Sequence, residues 1–250
     1  MHWFDTHCHL DRLPVGVELS AIMARAVAVG VNRLVVPGVA GAPARVAELL
    51  DFKGVELAWG IHPEYISECK SIVYDSEPWA GAGYKPVALG ECGLDRRAKC
   101  SVEEQERVFA WHLQLAVKHN LPVIVHLVGH YQRAFDMLAA MATPPIVVLH
   151  SWSGSVEMAK RFVAFGAVIS ISGGHFRRPE KLERLLGELP ISTLLLETDA
   201  PDMAAPFWQG DYNEPAAMSA IGAAVAEKAG LAVEELAEIL YNNSLRIFGQ

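Results

Sequence analysis

Two histidines one residue apart, His7 and His9, stand in the stretch FDTHCHLD with Asp5 and Asp11 on either side. Imidazoles beside carboxylates are a donor set for a divalent metal, but a metal in a folded domain draws ligands from distant segments. Partners of the same chemistry recur along the chain: His62 in GIHP, Glu91 in GECGLD, His126 in PVIVH, His150 in LHSWSG, and Glu197 with Asp199 in LLLETDAP. In an extended strand, residues two apart point to the same side. His7 and His9 are therefore expected to project together, with Cys8 turned away into packing and Asp5 in support. Glu197 and Asp199 share the same relation, Asp199 at the rim and Glu197 one layer deeper. A buried glutamate needs a partner, and a metal or a histidine that supports one is the partner this set offers. The other histidines read differently. His112 and His119 fall within a helical stretch as packing or surface residues, His130 opens a new loop or helix, and His2 precedes the motif.

These side chains can meet only if the chain brings its strand ends together. Eight apolar runs rich in Val, Ile and Leu carry them: residues 2–7, 33–38, 55–62, 85–91, 122–126, 145–150, 167–172 and 193–199. Segments of helical period lie between, such as 101–119, which opens on Ser101 with Glu104 three residues later, and 155–166, which stops at Gly166. Continuously apolar strands are buried on both faces, as in a parallel sheet covered by helices. Eight such units in 250 residues predict an α/β fold, a (β/α)₈ TIM barrel of one domain over 1–250, with the tail from Glu214 onward forming closing helices. A doubly wound open sheet is the alternative, but no GxGxxG follows the first run. A barrel gathers its chemistry at the carboxyl ends of its strands, and that is where His7, His9, His62, Glu91, His126, His150 and Asp199 fall.

The bulk numbers agree with such a protein. With 52% hydrophobic and 20% charged residues the chain can bury a substantial core. Its formal net charge of -8 argues against a generally basic nucleic-acid-binding body, while leaving room for a local basic patch. The four cysteines form no CxxC pair and read as reduced thiols. No apolar run approaches the ~18–20 residues of a membrane span, and no basic segment followed by an apolar signal core opens the chain. The expectation is a cytoplasmic protein with no membrane association and no obligate protein partner.

In this order, FDTHCHLD, GIHP, GECGLD, PVIVH, LHSWSG and LLLETDAP resemble the TatD family of metal-dependent hydrolases, within the amidohydrolase-like TIM barrels, and YNNSLRIFG is similar to that family's closing helix. The resemblance implies a site for two divalent cations (Zn, Mn or Mg): His7, His9 and Asp199 on one, His126 and His150 on the other, and Glu91 bridging. The chemistry suits the arrangement, since a carboxylate can span two ions, and two ions ~3.5–4 Å apart activate water and stabilise a phosphoryl displacement. A metal-activated water would be the nucleophile and Asp199 the general base, with Glu91 as the second catalytic residue. His62 and Glu197 would support the ligands or touch substrate, and Asp95 would orient a loop or a ligand. Glu91, where related amidohydrolases bridge with a carboxylated lysine, favours the TatD branch.

Two departures bear on substrate. Many family members read His-Ser-Arg where this chain has His126, Leu127 and Val128, and many carry a basic stretch where it has APFWQGDYNEP at 205–215. Phosphate is usually met by Arg or Lys, so other loops must compensate. Arg96, Arg97 and Lys99, and His175, Arg177 and Arg178, are the candidates, with Trp152 and Trp208 available to stack on a base or to shield the site. The leading expectation is hydrolysis of phosphodiester bonds in DNA. The alternative is a small phosphate, ester or amide substrate without nucleic-acid binding. A non-catalytic scaffold barrel is disfavoured because no ligand position is lost.

Overall fold

The computed structural model describes residues 1–69 and 77–249. Its strands are β1 (Trp3–Asp5), β2 (Val31–Val36), β3 (Ala40–Gly41), β4 (Val55–Ile61), β5 (Ala88–Asp95), β6 (Val123–Val128), β7 (Val147–Leu149), β8 (Val168–Ile171) and β9 (Leu194–Leu196). All but β3, a two-residue strand antiparallel to β4, pair in parallel in the order β1-β2-β4-β5-β6-β7-β8-β9. Each of the eight predicted runs thus contains or overlaps one strand of the barrel. Just past the strand ends, the first and last segments are joined. Thr6 N donates to Leu196 O at 3.1 Å, Asp199 N to His7 O at 2.9 Å, and His9 N to Ala200 O at 2.7 Å. Buried Asp5 reinforces the seam by accepting from Thr198 N at 2.9 Å.

The helices are α1 (Leu19–Ala28), α2 (Val46–Leu50), α3 (Val102–His119), α4 (Tyr131–Ala139), α5 (Val156–Ala164), α6 (Pro179–Glu188), α7 (Met218–Ala229) and α8 (Val233–Phe248). Ser101 caps α3 by accepting from Glu104 N at 3.1 Å, and Ser155 caps α5 by accepting from Met158 N at 3.1 Å. Each such cap satisfies one of the N–H groups a helix start leaves without a partner. Among the described residues no single helix is long and apolar enough to cross a membrane.

Inside the barrel one buried side chain from each strand builds a single layer: Phe4, Val35, Ala58, Ala88, Ile124, Val148, Val168 and Leu195. Ile247 and Phe248 at the end of α8 pack beneath it, Phe248 with its ring 5.9 Å from that of Phe4, so the predicted closing helix seals the amino-terminal mouth. Full burial of an aliphatic or aromatic side chain stabilises by roughly 1.5–3 kcal/mol, which makes this layer the rigid floor under the opposite, carboxyl-terminal mouth.

Counting up from the floor in steps of two shows which strands stay in register. Ala58 leads to His62, Ile124 to His126, Val148 to His150, and Leu195 to Glu197 and Asp199. Two strands fall out of step. On β1, Phe4 faces in and Thr6 still does, reaching Ser170 Oγ at 3.1 Å. Cys8 should then follow, yet it lies in the outer core while His7 and His9 turn inward. The strand ends at Asp5, so the expected sharing of one strand face by His7 and His9 is replaced by an irregular turn that delivers both imidazoles. On β5, Leu89 pairs with Val123 and Cys92 with Val125, three residues against two, which is a β-bulge. The bulge sends Cys92 outward and Glu91 inward. Contrary to the expected end at Glu91, β5 continues to Asp95. Gly93 permits this: at φ +138° any Cβ would stand 2.1 Å from His126 O.

Candidate metal centre

The mouth of the barrel opens into a cleft of about 780 Å³. At its floor Glu91, 3% exposed, separates two groups of imidazoles. Its Oε2 lies 3.1 Å from His9 Nε2 and 3.4 Å from His7 Nε2. The two nitrogens are 3.2 Å apart, and Asp199 Oδ1 closes this group at 3.6 Å from His7 Nε2 and 3.9 Å from His9 Nε2. Glu91 Oε1 faces the other way, 2.8 Å from His150 Nε2 and 3.1 Å from His126 Nδ1, which are themselves 3.0 Å apart. Five of the six residues named from the sequence as ligands therefore gather around the carboxylate of the sixth, Glu91, which offers one oxygen to each group. Asp199 reaches its place with a left-handed backbone, φ 56°, which aspartate tolerates better than most residues.

The surrounding hydrogen bonds fix which nitrogens can accept a cation. Asp95, fully buried, accepts from His126 Nε2 at 2.9 Å, so the proton sits on that nitrogen and Nδ1 presents a lone pair toward Glu91. Asp95 is in turn gripped by Arg97, whose backbone N donates to Oδ1 at 2.7 Å and Nη2 to Oδ2 at 2.7 Å. Burial would raise the Asp95 pKa, but His126 and Arg97 outweigh it and hold the group ionised. His62 stands differently. Its Nδ1 accepts from Glu64 N at 3.1 Å, which leaves the proton on Nε2, 3.7 Å from Glu91 Oε1. With its pKa lowered to about 3 by burial, it is a neutral donor facing the cleft rather than a lone pair for a metal. Glu197, fully buried beneath, accepts from Ser151 N at 2.7 Å and lies 3.7 Å from His150 Nδ1.

Without a cation the cluster is electrostatically divided. Burial lowers His7 to about 4, and His150, stacked on it with centroids 4.1 Å apart, opposes a second charge. Burial likewise opposes a charge on His150, yet Glu91 and Glu197 overcome it and raise that group well above the usual range. Burial raises Asp199, with Glu197 adding to the effect. Converging lone pairs and carboxylate oxygens, with two close nitrogen–nitrogen approaches, are the donor set that divalent cations neutralise, so the residues present fit such ions.

Above this floor the expectations for the rim hold only in part. Arg97 and Arg177 line the cleft, Arg97 committed to Asp95 and Arg177 reaching Ala204 O at 3.3 Å. Arg96 does not line it, because its stem lies against Gly129. Nor does Lys99. Arg178 lines an adjoining side pocket and not the cleft itself. His175 is buried under the loop after β8, where its ring caps Ser172. Trp152, 2% exposed and donating to Ser155 O, belongs to the packing shell, and Trp208 is tied to Tyr212 O outside the cleft lining, so neither offers a stacking face to this site. Arg12 and Tyr65 line the cleft and were not anticipated. The Arg12 guanidinium donates to the Tyr65 hydroxyl and ties the loop after β1 to the turn after β4. The signal was present, since Arg12 lies three residues past His9 on a barrel-mouth loop.

Comparison with known proteins agrees with this geometry. The family model described as TatD related DNase matches residues 4–249. The Escherichia coli K12 protein named uncharacterized metal-dependent hydrolase YjjV is 32% identical over 252 residues, covering 98% of this chain and 97% of that one. The 3'-5' ssDNA/RNA exonuclease TatD of Escherichia fergusonii is 32% identical over 257 residues, covering 98% of each. The crystal structure of YjjV superposes with a TM-score of 0.88 at 30% identity, over 99% of this chain and 98% of that one. A barrel with this ligand constellation, matched along nearly its whole length, belongs to the TatD-related DNase family of metal-dependent hydrolases.

Proposed function

We propose that this hydrolase is a two-cation phosphodiesterase that acts on single-stranded nucleic acid. The observation that carries the reading is the division of Glu91: Oε2 serves His7 and His9 while Oε1 serves His126 and His150. In this reading His7, His9 and Asp199 would hold one ion and His126 and His150 the other, with Glu91 offering one oxygen to each group. When bound, such a pair (Zn, Mn or Mg) supplies Lewis-acid activation of water and charge to offset that of a phosphoryl transition state. Asp95 keeps the proton of His126 on Nε2, so that Nδ1 stays available. His62 offers its Nε2–H to an oxygen in the cleft. Asp199, the more exposed of the two carboxylates in the cluster, takes the proton of the attacking water and returns it to the leaving oxygen. Arg12, after β1, and Arg177, after β8, meet the phosphate charge that Leu127 and Val128 cannot. Relatives named as single-strand exonucleases support the polymer substrate.

A second reading, a small phosphate, ester or amide substrate, is favoured by the apolar pair Leu127 and Val128 and the acidic Glu64 and Asp202 in the same lining. A matrix of divalent metals against single-stranded DNA, RNA and small phosphate, ester and amide substrates separates the two, with His9→Ala and Asp199→Ala as controls. The expected result is chelator-sensitive cleavage of single strands that both variants lose. Absence of such cleavage with every metal would remove the phosphodiesterase reading, and wild-type turnover in either variant would overturn the ligand assignment.

A further inference from the structure

A smaller pocket of about 190 Å³ opens beside the metal cleft, between the loop after β7 and the start of α6. It shares Ser151, Ser153, Arg177 and Met203 with the cleft, so the two are continuous. Arg177, Arg178 and Lys181 lie in its wall and no carboxylate does. Among the described residues none of the three is ion-paired: Arg177 reaches only Ala204 O, and Lys181 Nζ donates to Ser153 O at 2.8 Å. In a chain with a formal net charge of -8, three cations around one concavity with no acid among them are a local reversal.

One group in this pocket lacks what its burial calls for. Lys181 is half-buried, and burial together with Arg178 lowers its pKa, because a charge leaving water needs a counter-ion that the protein does not provide. A single oxyanion answers that deficit, with charge-assisted bonds from the lysine and Arg178.

Resting on the phosphodiesterase reading, we infer that this side pocket receives a second phosphate of the substrate, one that is not cut. The enzyme therefore selects chains that carry at least two phosphates, the scissile group over Glu91 and its neighbour between Arg178 and Lys181. A substrate with a single phosphodiester leaves the pocket empty.

The test uses Lys181→Gln, Arg178→Gln and the charge-retaining Lys181→Arg. Binding of fluorescein-labelled single-stranded DNA is followed by anisotropy in EDTA over a salt series. Initial rates with Mn are then compared for the same DNA and for bis(p-nitrophenyl) phosphate, which has one phosphate. Loss of one phosphate contact lowers the slope of log K against log salt by about 0.7. We expect that change in both Gln variants, with a roughly tenfold fall in the ratio of DNA to bis(p-nitrophenyl) phosphate kcat/KM, mostly through KM, and recovery in Lys181→Arg. An unchanged slope, an equal loss on both substrates, or no recovery in Lys181→Arg would overturn the inference. A wild-type protein that cuts neither substrate, yet binds DNA with the Lys181-dependent slope, would refute the phosphodiesterase reading and support the pocket.

Discussion

Asp95→Asn changes one atom in a buried position and tests how His126 would be held as a ligand of the second cation proposed above. In the native protein both oxygens are committed: Oδ1 accepts from Arg97 N at 2.7 Å, and Oδ2 accepts from Arg97 Nη2 at 2.7 Å and from His126 Nε2 at 2.9 Å. The backbone N–H of Arg97 can only donate, so it keeps the asparagine oxygen at the Oδ1 position and sends the new amide toward His126. Facing a donor, His126 Nε2 must give up its proton, which moves to Nδ1, 3.0 Å from His150 Nε2 and 3.1 Å from Glu91 Oε1. The lone pair is then no longer available. Loss of such a supporting partner typically costs 10–100-fold in metal affinity, about 1.4–2.7 kcal/mol. The Arg97 side chain is 61% exposed, so water replaces its lost acceptor at little further cost. Under the two-cation reading, competition of the protein with a fluorescent chelator for Mn should resolve two binding events. One should weaken by 10–100-fold while the other, assigned to His7, His9 and Asp199, stays within about threefold, and excess Mn should recover most of the turnover. Two unchanged affinities would refute the tautomer argument. Equal weakening of both would show that Asp95 acts on the fold instead.

Three further outcomes follow from the same geometry. His112 is fully buried, with Nε2 accepting from Ile61 N at 3.1 Å, and burial lowers its pKa to about 4. Because the unfolded chain binds that proton near the ordinary 6.5, the contribution is complete above pH 6.5 and is lost as pH falls toward 4, about 3 kcal/mol in all. Urea denaturation of His112→Gln should show a correspondingly flatter pH dependence than the wild type, and parallel curves would contradict it. Gly93→Ala should destabilise by on the order of 3 kcal/mol, since its Cβ meets His126 O at 2.1 Å, and a wild-type urea midpoint would rule out the backbone described. Divalent metal at 100 times its Kd should stabilise by about 2.7 kcal/mol, raising Tm by ~5–10 °C in a calorimetric scan, and EDTA should reverse the shift.

The rim was the least legible part of the molecule. Arg96 and Arg97 are neighbours in sequence, but β5 extends to Asp95, and beyond it only Arg97 turns into the cleft while the stem of Arg96 packs on Gly129. Arg177 lines both the cleft and the side pocket, whereas its neighbour Arg178 lines the side pocket alone. Trp152 disappears into packing against Tyr131 and Phe162, because its position in LHSWSG says nothing about which layer receives it. Loop side chains obey no short period, so their direction depends on contacts made by segments far away in the chain.

The amino-acid sequence by itself determined the strand-and-helix alternation, the barrel it implies, and the convergence of His126, His150, Glu197 and Asp199. Counted in steps of two from the buried floor, all four fall on its side, and that spacing is a local property. Tertiary structure alone decided how His7, His9 and Glu91 join them. Strict alternation would have put Cys8 and Cys92 in the barrel mouth; the turn after Thr6 and the bulge in β5 reverse this. Both irregularities lie where a neighbouring strand sets the register: Thr6 and His7 on the last strand's segment, Leu89 and Cys92 on β6. A register between strands is a contract between distant residues, and no stretch read alone contains it.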